Sequence, residues 1–174
     1  MVSIILLVVA ALMVGLDQLL KYLVVVNLKP IGTAPFIPGI LGLRYVENDG
    51  AAFSILAGQQ TFLIIVTSIA LLVWAYFLFF KRPQSKMEVA GMVMVLAGGV
   101  GNLIDRVANG FVVDYLDVLF MQFAVFNLAD TFVCVGFAVL IIGVVRSELK
   151  GRKKAEVNTE VSKDAKPEQV DGNH

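Results

Sequence analysis

TFLIIVTSIALLVWAYFLFF, residues 61–80, is a run from Thr61 to Phe80 without a single charge. At 1.5 Å of rise per residue, a helix of that length crosses the roughly 30 Å of hydrocarbon in a bilayer. Three further apolar runs flank it: Ile4–Val26, broken by Asp17, Gln18 and Lys21, then Glu88–Ile104 and Ala124–Val145. The fold class that follows is an all-α membrane protein with four transmembrane helices. Its spans are 4–26, 61–80, 88–104 and 124–145, its outer segments 27–60 and 105–123. These make a body over residues 1–146, and a polar tail follows over 147–174. The first run has no basic region before it and no convincing cleavage site after it, so it is expected to stay as a helix rather than leave as a secretory signal.

Composition agrees. The chain has 174 residues, 58% of them hydrophobic and 16% charged, with a mean hydropathy of +0.83. That is too apolar for one soluble domain of this size. Twelve of the 28 charges fall in Ser147–His174, six basic and six acidic, so the tail is predicted to be solvated and disordered. The net charge is zero, and no basic stripe points to nucleic acid. One cysteine, Cys134, excludes an internal disulfide framework, and one histidine, His174, leaves no His/Cys cluster for zinc. No metal or other cofactor is expected. Cys134 reads as a small buried hydrophobe within the fourth span.

Basic residues in short loops set the orientation. Lys81, Arg82 and Lys86 follow the second span, and Arg146, Lys150, Arg152, Lys153 and Lys154 follow the fourth. Those sides are expected to be cytoplasmic, with both termini inside. Trp74, Tyr76 and the phenylalanines before Lys81 suit an inner aromatic belt or a plain lipid-facing surface. In the longer outer segment, Pro30, Gly32, Pro35, Pro38 and Gly39 punctuate turns. Leu41–Glu47 alternates in part and Ala51–Leu56 is apolar, which predicts two short strands there.

The polar residues of the spans share one depth. Asp17 lies roughly 20 Å along a helix that enters at Ile4. The third span ends near Asn102, Asp105 and Arg106, and the fourth begins with Asn127 and Asp130. Asp114 lies between them. A charge within a span is a functional-site hypothesis by default. Each also has a structural reading. Asp17 and Lys21 stand four apart and suit a helical ion pair, and Asp105–Arg106 suits a helix cap or clamp. Gly98, Gly99 and Gly101 suit close helix packing. Asn48 before Asp49–Gly50 suits a turn, while Glu47 and Asp117 face solvent. Asp114 and Asp130 lack a basic partner at helical spacing. Two carboxylates held close repel when both are ionised, so one keeps its proton, and the pair then serves as base and acid together. The same residues leave two alternatives open: proton transport through Asp17 and Asp130, and a nucleophilic Ser54 activated by Lys21.

Five motifs in order tip the balance: Asp17-Gln-Leu-Leu-Lys21, Asn48-Asp-Gly-Ala-Ala-Phe53, Gly98-Gly-Val-Gly-Asn-Leu-Ile-Asp-Arg106, Val112-Val-Asp114 and Phe126-Asn-Leu-Ala-Asp130. Together they resemble the lipoprotein signal peptidase, or signal peptidase II, family over roughly residues 1–146. The resemblance implies an aspartyl endopeptidase of the bacterial cytoplasmic membrane. It would cut diacylglyceryl-modified prolipoproteins just before the lipidated cysteine, near the outer leaflet, as a monomer among membrane lipids. It further implies Asp114 and Asp130 as the catalytic pair, and Asn48, Asn102, Arg106 and Asn127 as residues that line the site. Asp17, Lys21 and Asp105 would support it, and a small extracytoplasmic β-cradle would sit beside the helices. The apolar stretch between the aspartates, with Leu119, Phe120, Met121 and Phe123, would then lie at the membrane surface.

Overall fold

The computed structural model describes residues 2–50, 55–81, 83 and 85–164. Four helices, α1 (Val2–Asn27), α2 (Gln60–Phe80), α3 (Lys86–Asn109) and α4 (Leu128–Asp164), surround one another, with strands β1 (Thr33–Ile37), β2 (Leu41–Asn48) and β3 (Val112–Val118) at one end. All four helices contain segments long and apolar enough to cross a membrane. Their outward faces are apolar; Leu12 and Leu72, for example, are about 70% exposed, as a lipid-facing surface requires.

The central helix is α3, which packs on α1, α2 and most extensively α4. Glycine makes those contacts close. Along the seam between α3 and α4, Gly91 faces Gly136, while Gly98 of α3 meets Ala129 and Val133 and Gly143 of α4 meets Met87 and Glu88. A Cβ on Gly91 would sit 2.6 Å from the Gly136 carbonyl oxygen, and one on Gly136 would sit 2.8 Å from the Gly91 oxygen. Next to this seam the three glycines near the end of α3 each receive a different helix. Gly98 meets the Ala129 carbonyl of α4, Gly99 meets Leu71 of α2, and Gly101 meets the Asp17 carboxylate of α1. Small residues at crossings let backbones approach and gain dispersion contacts where no hydrophobic effect acts between helices.

Local signals set the ends. Ser85 caps α3, its hydroxyl accepting from the Glu88 N–H at 3.2 Å. Nothing breaks α3 before Gly110, which closes it in the left-handed region at φ 79°. Asp105 and Arg106, expected in the outer segment 105–123, are therefore in the last turns of α3. The fourth helix starts at Leu128 rather than Ala124, because Asn127 and Asp130 form a reciprocal cap described below. It also runs past Val145 to Asp164, so the tail expected to be disordered is helical over 147–164. The stretch Ser147–Ala155 is rich in Glu, Leu, Lys and Arg, and extending an existing helix avoids the nucleation step. Residues 165–174 lie outside the described residues.

Of the three strands in the sheet, only Leu41–Asn48 was expected. The order is β1-β2-β3, all antiparallel. Leu41–Asn48 is a strand as expected, but its partners are Thr33–Ile37 and Val112–Val118. Of the second expected strand, Ala51–Leu56, residues 51–54 lie outside the described residues, and Ile55 and Leu56 are in a turn. Proline does not keep Thr33–Ile37 from pairing. Pro35 sits in β1, an edge strand paired on one side only, where a missing N–H is tolerated. Trp74 is turned into the bundle: its indole N–H donates to the Met92 carbonyl at 3.0 Å, and its ring meets Phe137 edge-on at 5.3 Å. Cys134 is exposed rather than buried.

Candidate active site

At the sheet end the interior is polar. Asp17, Lys21, Asp105, Asp114 and Asn127 are each at most 3% exposed, and every one is hydrogen-bonded, as buried polar groups must be. Two layers can be distinguished.

The deeper layer holds the elements together. Lys21 pairs with Asp17 at 3.0 Å and with Asp105 at 3.1 Å, so the expected ion pair is a triad. Asp17 also accepts from the Ala129 N–H at 2.9 Å, which satisfies one of the free donors at the start of α4. Asp105 accepts from the Val113 N–H at 3.0 Å. The two outer carboxylates of the triad thus fix the two backbone segments that carry Asp130 and Asp114. Gln18 joins them, donating to Asp105, to the Gly101 carbonyl and to Asp17 at 3.0–3.2 Å. Sequence reasoning passed over Gln18, although an amide inside a span beside Asp17 was the signal.

The upper layer carries the two aspartates. Asp114 enters from β3, with Oδ1 accepting from Asn127 Nδ2 at 2.7 Å and Oδ2 from Asn48 Nδ2 at 2.8 Å. Asp130 sits in the first turn of α4, with Oδ1 accepting from Asn102 Nδ2 at 2.7 Å and Oδ2 from the Asn127 N–H at 3.2 Å. In return Asn127 Oδ1 accepts from the Asp130 N–H at 3.0 Å, a capping box in which the pair satisfies each other's backbone donors. Asn127 Nδ2 lies 3.1 Å from Asn102 Oδ1, so the chain Asp114–Asn127–Asn102–Asp130 is continuous. It forms because Phe126 exchanges backbone hydrogen bonds with Leu116, which returns the chain to the edge of β3 just before Asn127.

Asn48 fills both roles weighed for it. Its Oδ1 accepts from the Gly50 N–H at 3.0 Å, forming the turn, while its Nδ2 reaches Asp114. Arg106 points away from Asp105 and donates to the Gly50 carbonyl at 3.0 Å, tying the segment after β2 to α3. Its Nε is buried without a hydrogen-bond partner. Glu47 and Asp117 are near the surface as expected, paired with Lys29 at 2.8 Å and Arg44 at 3.2 Å. Asp114 and Asp130 line one cavity of about 510 Å³ together with Asn48, Asn102 and Arg106, and apolar residues such as Phe123, Phe126 and Val133 complete its wall. Leu119, Phe120, Met121 and Phe123, beside it, are exposed. Among the described residues no group of three or more His, Cys, Asp or Glu side chains is arranged to hold a metal ion.

Burial pushes the Asp114 carboxyl up to about 7; the Asn48 hydrogen bond holds it back and the Asp130 charge adds to the rise. Near neutrality Asp114 therefore exchanges a proton that an ordinary carboxyl would have lost. Its neighbour Tyr115 is pushed up to about 12, chiefly by burial, and stays neutral. The family described as signal peptidase (SPase) II matches residues 9–146 of this chain.

The chain belongs to the signal peptidase II family.

It is a membrane endopeptidase of that aspartic peptidase family. The lipoprotein signal peptidase of Streptococcus pneumoniae is 39% identical over 145 residues, covering 83% of this chain and 94% of the relative. That of Enterococcus faecalis is 42% identical over 151 residues, covering 87% and 93%. A solved bacterial membrane enzyme, determined by the in meso method at 2.3 Å, superposes with a TM-score of 0.75 at 32% identity, over 82% of this chain and 88% of the other. A second, at 1.9 Å, gives a TM-score of 0.72 at 34% identity, over 80% and 91%.

Proposed function

We propose that this signal peptidase II family member removes the signal peptide from diacylglyceryl-modified prolipoproteins, cutting just before the lipidated cysteine, with Asp114 and Asp130 activating water. The observation that carries this reading is the bridged pair of carboxylates on one cavity, one of which binds a proton near neutrality. Asp130, as base, takes a proton from water while the oxygen attacks the scissile carbonyl carbon. Asp114, as acid, gives its proton to the carbonyl oxygen, and a neutral gem-diol forms. Asp130 then passes its new proton to the amide nitrogen as the C–N bond breaks, and Asp114 recovers its own from the collapsing diol. The pair ends as it began. Asn48, Asn102 and Asn127 orient the carboxylates, and Arg106, with its free Nε, is suited to a substrate carbonyl.

Topology supports the substrate. The basic residues after α2 and those following the span in α4 lie at the end away from the sheet, which by the positive-inside rule is the cytoplasmic end. The cavity then opens at the outer leaflet, where a lipid-anchored cysteine presents its peptide bond. The apolar wall suits acyl chain and signal helix. All the groups invoked come from one chain, so a monomer suffices. Lys21 is not available to activate Ser54, since both carboxylates and Asn102 already engage it; Ser54 itself lies outside the described residues.

The test is cleavage of a fluorogenic lipopeptide by purified protein in liposomes, with and without diacylglycerol on the cysteine. Cleavage confined to the lipidated peptide, and lost in Asp114→Asn and in Asp130→Asn while each still inserts, is expected. Near wild-type cleavage by either variant refutes the paired-acid mechanism.

A further inference from the structure

Lys21 enters no step of the proposed reaction, yet it is 3% exposed and faces three acceptors with its three N–H bonds. They are Asp17 Oδ2 at 3.0 Å, Asp105 Oδ2 at 3.1 Å and Asn102 Oδ1 at 2.9 Å. An ammonium donates and never accepts. The oxygen of the Asn102 amide must therefore face Lys21, and its NH2 is turned to the far side, where it donates to Asp130 Oδ1 at 2.7 Å. Asn127 Nδ2, 3.1 Å from the same oxygen, favours the same orientation. Reversing the amide would set an NH2 against two donors and an oxygen against a carboxylate, inside a buried site where such contacts are costly.

We propose that Lys21 is a positioning residue for the base of the pair: by fixing the Asn102 amide it keeps that NH2 turned to Asp130 Oδ1, an arrangement that suits a carboxylate there. This rests on the paired-acid reading and deepens it. The other charged groups do not substitute for Lys21. From α1 and α3, Asp17 and Asp105 are engaged by Lys21 itself, and Arg106 donates to main-chain carbonyls. From β3, Asp114 and the phenol of Tyr115 bring no cation, and α2 carries no charged residue. Asn127, which touches both aspartates, supports the orientation with one neutral donor; the cation that fixes it, Lys21, touches neither.

A lysine that merely braces the bundle would lower activity equally at every pH, whereas one that aims the Asn102 donor at Asp130 changes where the base is lost. The decisive variants are Asp105→Asn, Lys21→Gln/Asp105→Asn and Lys21→Arg, in liposomes, with kcat and KM for the diacylglyceryl lipopeptide measured against pH. Glutamine both donates and accepts, so it frees the Asn102 amide to turn, while the paired change removes one cation and one carboxylate together. Relative to Asp105→Asn, the paired variant is expected to lose at least about tenfold in kcat with KM within about twofold, and its acid limb to move by about one pH unit toward higher pH. Lys21→Arg, which keeps a donor-only cation, is expected to hold the acid limb at its wild-type position. One common acid limb for Asp105→Asn and the paired variant overturns the proposal. A displaced limb in Lys21→Arg overturns it as well, even where the paired variant does not insert. Asp114→Asn and Asp130→Asn, run in parallel, separate this outcome from failure of the paired-acid reading, which their retained cleavage alone would signal.

Discussion

Replacing Gly98 by alanine tests whether the glycine seam sets the geometry of the proposed catalytic pair. A Cβ there would lie 2.8 Å from Val133 Cγ2 and 3.1 Å from the Val133 nitrogen, and closer still to the Ala129 carbonyl oxygen. Ordinary contact begins at 3.4 Å, so even the Val133 methyl is about 0.6 Å too near. The carbonyl is backbone and cannot swing aside, so α4 must retreat from α3 by well over half an ångström. Overpacking of this kind costs roughly 1–3 kcal/mol. The larger effect is local. Ala129 is held by Asp17 and adjoins Asp130, whose 2.7 Å bond to Asn102 crosses this same interface. A shift near 1 Å at reacting groups lowers rates about a hundredfold. Gly98→Ala is therefore expected to insert and bind lipopeptide with KM little changed, to unfold several degrees lower, and to lose about two orders of magnitude in kcat. Gly15→Ala, where an added Cβ meets nothing within 4 Å, serves as the control and is expected to be neutral or slightly stabilising. Thermal unfolding in detergent and steady-state cleavage in liposomes measure both quantities. A Gly98→Ala enzyme with kcat within about threefold of wild type would refute the link between seam and site.

Activity should fall as pH rises through about 7, because Asp114 then loses the proton that the carbonyl oxygen needs; a rate still level well above that pH argues against Asp114 as the acid. The same rise has a stability consequence. A folded-state value above the unfolded one favours the fold fully below the usual carboxyl range and progressively less up to about 7, so unfolding temperature should decline across that window. Asp17→Ala removes the acceptor for the Ala129 N–H and unbalances the Lys21 triad, and a loss of about 3–5 kcal/mol, read as failure to accumulate or a large drop in thermal stability, is expected. Lys29→Ala breaks an exposed pair with Glu47 and should leave thermal stability and cleavage nearly unchanged.

The four spans were legible because lipid imposes one rule, a long apolar helix, that composition alone reveals. The site was legible for a related reason: carboxylates and amides are so expensive in hydrocarbon that Asp17, Asn102 and Asp130 stand out without any partner being known, whereas Asp114, in the outer segment, stood out for lacking a basic partner and for the Val112-Val-Asp114 motif. What the sequence hid were pairings. Thr33–Ile37 becomes a strand because Leu41–Asn48 offers it an edge, which no local pattern around Pro35 shows. The start of α4 was readable in Asn127-Leu-Ala-Asp130, whose cap spacing was overlooked in favour of the apolar residues before it. Lys21 was paired correctly with Asp17 at helical spacing, but its reach to Asp105 and Asn102 depends on Gly101 letting α1 and α3 close together.

The Asp17–Lys21 pair also bears on how the protein is made. The chain emerges with α1 first, while the Ala129 N–H and the Asp105 and Asn102 side chains belong to helices synthesised much later. Until they arrive, α1 must reside in the bilayer with an acid and a base aboard. Standing one turn apart, the two neutralise each other within a single helix, so the segment can be inserted before any neighbour exists. When α3 docks, the lysine keeps this partner and gains Asp105 and Asn102, and α4 then brings the Ala129 N–H to Asp17 together with Asp130, so the site is complete only once the last helix is in place.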